Sequence, residues 1–82
     1  MRVTVEFYGV LRQVMGGERT SLELPGATVA EALEQLCRQQ PRLTEQLPRV
    51  ACAVGSNLVR REDALSEGCT LALIPPVSGG CR

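Results

Sequence analysis

The sequence contains no histidine, no lysine and no tryptophan, and its aromatics are a single phenylalanine and a single tyrosine. Without histidine or lysine, neither the common serine triad nor its lysine variant has a base, so Ser21, Ser56, Ser66 and Ser78 lack the partner that would make them nucleophiles. A zinc site would need all four thiols, Cys37, Cys52, Cys69 and Cys81, from scattered positions with no Cys-x-x-Cys spacing, and no metal is expected. Aromatics at 2% of the chain exclude an aromatic-lined cofactor pocket, and no bound cofactor is expected. Nine basic residues balance nine acidic ones, and no run of like charge exceeds two, so the footprint of a nucleic-acid or membrane-surface binder is missing. No apolar run approaches membrane-spanning length, and the chain starts directly on a strand pattern without a signal peptide's apolar segment. The expectation is a soluble cytoplasmic protein whose first three cysteines are reduced, small, buried residues.

What is present fits one domain of 82 residues with an aliphatic core and Phe7 as its one large ring. Val3, Val5 and Phe7 alternate with Thr4, Glu6 and Tyr8, which predicts a half-buried strand over 2–8. Val10, Leu11, Val14 and Met15 recur at helical spacing and predict a short helix before Gly16-Gly17. A second strand over 19–24 buries Leu22 and Leu24, and the short connection makes it the antiparallel neighbour of the first. Thr28 followed by Glu31 is a capping-box signature. It opens a helix whose stripe of Val29, Ala32, Leu33, Leu36 and Cys37 faces the core, with Glu34 and Arg38 paired on the wet side. Pro41 stops that helix near Gln40. Leu43 and Leu47 suggest a brief helical turn before Pro48. Strands are expected at 49–54, at Leu58-Val59 on an edge, and at 70–74 with Leu71 and Leu73 inward and Ala72 and Ile74 outward, while Leu65 plugs the core. Glu31, Glu34, Glu62 and Asp63 read as surface carboxylates, not as catalytic groups. The result is an α+β domain, a mixed sheet of four to five strands with one main helix across one face.

The last strand runs into Pro75-Pro76-Val77-Ser78-Gly79-Gly80-Cys81-Arg82. Two prolines stiffen the exit, and Gly79 and Gly80 let main chain enter a space too narrow for a Cβ. Such a tail is suited to insertion into another protein, and the chain divides into a domain over 1–74 and a flexible tail over 75–82.

The element order, the closing Pro-Pro-Val-Ser-Gly-Gly, and Asn57, Asp63, Leu65 and Gly68 at their spacing resemble the ubiquitin-like β-grasp sulfur carriers of the MoaD/ThiS family. The resemblance runs to Gly80. Typical members end at the second glycine, so Cys81-Arg82 resembles the minority found in thioquinolobactin-type siderophore pathways, where a zinc-dependent JAMM-type peptidase removes a short extension. Cys69 departs from the family's usual acidic residue.

The resemblance implies that the chain is a co-substrate and not an enzyme. A ubiquitin-activating-type adenylyltransferase would use ATP to adenylate the Gly80 carboxylate, a sulfur donor enzyme would convert it to a thiocarboxylate, and an acceptor enzyme would consume the sulfur. The Gly80-Cys81 amide would first have to be cut. The resemblance also places the first and last strands side by side and parallel, making Tyr8, Ala72 and Ile74 an apolar patch at the root of the tail. That patch, with Pro75, Pro76, Val77 and Ser78, is the expected partner interface. The acceptor is left open among a siderophore, an amino acid, a molybdopterin precursor and a thiazole. Two other readings stand beside this one: a protein modifier joined through Gly80 to a lysine of its target, and a non-catalytic β-grasp binding module.

Overall fold

The computed structural model describes residues 1–24 and 28–75. Strand β1 (Arg2–Phe7) is followed by helix α1 (Val10–Met15), strand β2 (Arg19–Glu23), helix α2 (Val29–Gln39), two short 3-10 turns (Pro41–Glu45 and Leu47–Arg49), and strands β3 (Ala51–Val54), β4 (Asn57–Val59) and β5 (Thr70–Ile74). Among the described residues the strands form one five-stranded sheet in the order β2-β1-β5-β3-β4. Only the β1–β5 pair is parallel, and the other three neighbours are antiparallel.

Alternation in β1 puts Val3, Val5 and Phe7 fully into the core, and the same period in β5 buries Leu71 and Leu73 beside them. Helix α2 lays Val29, Ala32, Leu33 and Leu36 onto that layer. Its start is set by the capping box: the Thr28 hydroxyl accepts from the Glu31 N–H at 3.3 Å, and the Glu31 carboxylate accepts from the Thr28 N–H at 3.0 Å. Its end comes at Gln40, whose extended backbone (φ −139°) is what a residue before proline adopts. Between β3 and β4 the loop is two residues long, and Gly55 takes φ +65° there, a conformation glycine adopts without a Cβ penalty.

Several local expectations change. The segment around Leu43 and Leu47 is two 3-10 turns, each with a proline at its first or second position, and Pro48 lies inside the second turn instead of ending a helix. Because that turn extends to Arg49, β3 begins at Ala51 and not at Arg49. In α1 only Leu11 is fully buried, while Val10 is exposed. Cys52 is buried as expected, but Cys37 and Cys69 are only half-buried.

Candidate functional site

Parallel pairing of β1 with β5 carries both strands toward one end of the sheet. Phe7 stands opposite Leu73, and one step further the Tyr8 N–H donates to the Leu73 carbonyl at 3.3 Å. Tyr8 therefore lies just past the end of β1, next to the last turn of backbone before the chain reaches Pro75. The root of the tail is thus held by the two most central hydrogen-bonded strands, a rigid base for whatever follows.

Side-chain alternation assigns Glu6, Ala72 and Ala53 to the face of the sheet away from α2, since Ala72 is paired with both of the others. The same registers place Ile74 opposite Ala51, and Leu58 opposite Ala53, on that face. Ile74 is 39% exposed, Tyr8 40% and Leu58 76%. Ala53, flanked across the sheet by Ala72 and Leu58, is buried without belonging to the core cluster. This half of the outer face is apolar apart from Thr70 at the start of β5. Its other half, on β1 and β2, carries the ion pairs Arg2–Glu23 at 2.7 Å and Arg19–Glu6 at 3.9 Å. The sheet thus presents an apolar β5-β3-β4 panel next to a charged β1-β2 panel, and Pro75 follows the last strand of the apolar one.

Tyr8, Ala72 and Ile74 lie on the outer face toward this end, and Pro75 follows Ile74. Ala51 and Leu58 complete the panel and escaped the sequence reading. The outward position of Leu58 was legible only once its register with Ala53 was known. Pro76, Val77, Ser78, Gly79, Gly80, Cys81 and Arg82 lie outside the described residues.

The polar groups around the root are mutually engaged. Tyr8 donates its hydroxyl proton to Glu6 Oε1 at 3.1 Å, and the Arg12 guanidinium lies 5.6 Å from the Tyr8 ring centre. The hydrogen bond to Glu6, then the charge of Glu6, then slight desolvation push the Tyr8 phenol above its ordinary 10.0, against the opposing pull of Arg12 and Arg19. Arg12 also donates from Nε to the Phe7 carbonyl at 3.0 Å, tying α1 to the end of β1. Gly9, between the two, adopts φ 59° and ψ −137°, and a Cβ built there would lie 2.9 Å from Cγ of Pro75.

Away from the root, a groove of about 590 Å³ runs between α2 and the 3-10 turns, lined by Leu33, Leu47, Pro48 and Arg61 among others. None of its lining residues belongs to the apolar panel or the tail root. Among the described residues no group of three or more Asp, Glu or Cys side chains could hold a metal ion. No helix among them is long and apolar enough to cross a membrane.

A five-stranded mixed sheet with one long helix across it, and a terminal segment launched from its central parallel pair, is the ubiquitin-like β-grasp architecture of small carrier proteins. The ThiS family model matches residues 5–80, and the chain belongs to that family, whose members are small sulfur carriers working with partner enzymes and not catalysts themselves. It is 32% identical to the molybdopterin synthase sulfur carrier subunit of Chlamydomonas reinhardtii over 98% of this chain and 100% of that protein. Among solved structures it resembles SAMP1 from Haloferax volcanii, with a TM-score of 0.88, 25% identity, and coverage of 98% of this chain and 100% of the other. It also resembles a chain of the BexX/CysO complex of Amycolatopsis orientalis, with a TM-score of 0.75, 30% identity, and coverage of 95% and 99%. The fold and the family expected from the sequence are both found.

Proposed function

We propose that this sulfur carrier works through the carboxylate of Gly80, exposed by removal of Cys81-Arg82 and converted to a thiocarboxylate by partner enzymes. One observation carries the reading. β5, the centre of the sheet, ends at Ile74, five positions before Gly79 in the sequence, beside an apolar panel that nothing in the described chain covers.

Each step needs what the tail supplies. A free carboxylate oxygen attacks the α-phosphorus of ATP on a ubiquitin-activating-type adenylyltransferase, and pyrophosphate leaves. The acyl adenylate then has an electrophilic carbon unhindered by a side chain, where a sulfur donor displaces AMP. Through the Gly80-Cys81 peptide bond the same carbon is an amide and offers no oxygen nucleophile of comparable strength. Cleavage by a JAMM-type zinc peptidase therefore precedes activation. In the complex from Amycolatopsis orientalis a carrier-like chain is held by a second protein. The panel formed by Ile74, Leu58, Ala51 and Ala72 with Tyr8 is the surface by which this chain would be held in turn.

The test is intact-mass analysis of the protein from its native host, combined with adenylation in vitro. Loss of Cys81-Arg82 together with an oxygen-to-sulfur mass change is expected, and the chain ending at Gly80 should support ATP–pyrophosphate exchange where the full-length chain does not. Equal exchange by both forms would remove the masking step. Covalent adducts with larger proteins in place of the thiocarboxylate would identify a protein modifier instead.

A further inference from the structure

Resting on the reading that the tail is what partner enzymes receive, we infer that Gly9 is a positioning residue for that tail, forming with Pro75 a seat that fixes where it leaves the domain. Two independent features of Gly9 converge on this. Its backbone, at φ 59° and ψ −137°, lies in a region essentially reserved for glycine. Its missing Cβ leaves the space that the Pro75 ring fills, since a Cβ would stand 2.9 Å from Cγ and 3.7 Å from Cδ of that ring. The ring is closed and cannot swing aside like the end of a long side chain, so the backbone carrying it would have to move. By contrast, Gly16, Gly17, Gly55 and Gly68 have nothing within 4 Å of such a Cβ. Close approach to another part of the chain is particular to Gly9 among these five.

The surroundings hold the seat still from both sides. Before Gly9, the Tyr8 N–H is bonded to the Leu73 carbonyl, and after it the Arg12 N–H donates to the Gly9 carbonyl at 3.1 Å. The Arg12 side chain is bonded back to the Phe7 carbonyl. Three anchors fall within six residues, in which Phe7 and Leu11 are core while Tyr8, Gly9, Val10 and Arg12 are exposed. They fix one short loop against the residue at which the tail begins. A carrier whose acyl carbon must enter a partner's active site gains rate from a fixed point of departure, because misplacement by about 1 Å can cost up to about a hundredfold in a positioned reaction.

The experiment compares the chain ending at Gly80 with its Gly9→Ala, Pro75→Ala and double variants in ATP–pyrophosphate exchange, using the host's adenylyltransferase. Circular dichroism melts establish that each is folded. Gly9→Ala is expected to lower kcat about tenfold with KM little changed, because docking through the apolar panel is untouched. In the Pro75→Ala background the conflict with the ring is gone and only the backbone strain at φ 59° remains, so Gly9→Ala should cost clearly less there than in the parent chain. That non-additivity is what a general loss of stability would not produce. If Gly9→Ala has no effect, or if the two effects simply multiply, the seat does not position the tail. Should Gly9→Ala fail to fold, Pro75→Ala alone decides: exchange equal to that of the parent chain overturns the inference. An absence of exchange by the parent chain would instead overturn the carrier reading. The seat is then read by NMR on the full chain, where a Gly9 Hα to Pro75 ring contact is expected and its absence dismisses the seat on its own.

Discussion

Arg61 reaches across the molecule to donate from Nη2 to the Leu47 carbonyl at 2.6 Å, while its own carbonyl accepts from the Ala30 N–H at 2.9 Å. One residue of the β4–β5 connection thus holds both the second 3-10 turn and the first turn of α2. Its other guanidinium nitrogen lies 3.9 Å from Cys52 Sγ, whose thiol burial pushes up and Arg61 partly pulls back. Replacing Arg61 with Ala removes a charge-assisted bond to a carbonyl that is then left with the Val50 N–H, at 3.1 Å, as its donor. A loss of about 1.5–3 kcal/mol in urea unfolding is expected. Unchanged stability would mean that water takes over the Leu47 carbonyl at no cost.

Thr28→Ala opens the capping box without touching the core. The first turn of α2 then loses a hydroxyl acceptor for the Glu31 N–H, and the expected cost is about 1 kcal/mol. Thermal melting followed by circular dichroism reads it, as a fall in Tm of about 4–8 °C for a domain of this size. Since α2 lies on the face opposite the apolar panel, partner binding should be unaffected.

The capping box shows why much of the fold was legible from the sequence. Thr28, Glu31 and the stripe from Val29 to Leu36 are local signals, as is the alternation of β1, and both were read with their faces correct. Arg61 was not legible. Its partner lies fourteen positions back in the chain, and in sequence it is one member of a polar run, Arg60-Arg61-Glu62-Asp63. The same holds for Leu58 and Ala51, whose exposure depends on which strands become neighbours. Gly9 is not legible for a related reason: a glycine before a helix marks a turn, and nothing local says that Pro75, sixty-six residues later, will lie on it.

Tyr8 can be titrated without interference, because it is the single tyrosine and the chain has no tryptophan. Tyrosinate absorbance should show a midpoint above 10.0, and Glu6→Gln should move it down, since Glu6 supplies both the hydrogen bond and the largest charge effect. The folded value being raised, the phenol's contribution to stability is complete below the unfolded value and disappears as the pH climbs through the folded one. A wild-type midpoint at or below 10.0 would show that Arg12 and Arg19 dominate instead.

The apolar panel yields the sharpest functional prediction, because its residues are exposed and their replacement leaves the core alone. Leu58, at 76% exposure, contributes little to folding, so Leu58→Glu should change stability by no more than about 0.5 kcal/mol. If the panel is where a partner grips, the same change places a charge in the dry centre of an interface. Affinity should then fall by about 2 kcal/mol or more, roughly thirtyfold. Ile74→Glu, one strand over from Ala51 and next to the tail root, should do at least as much. Arg2→Glu on the charged β1-β2 panel provides the comparison: it loses an exposed ion pair and should alter binding to the adenylyltransferase far less. Isothermal titration of the three variants against that enzyme ranks them. Binding lost on Arg2→Glu but kept on Leu58→Glu would move the interface to the other half of the sheet.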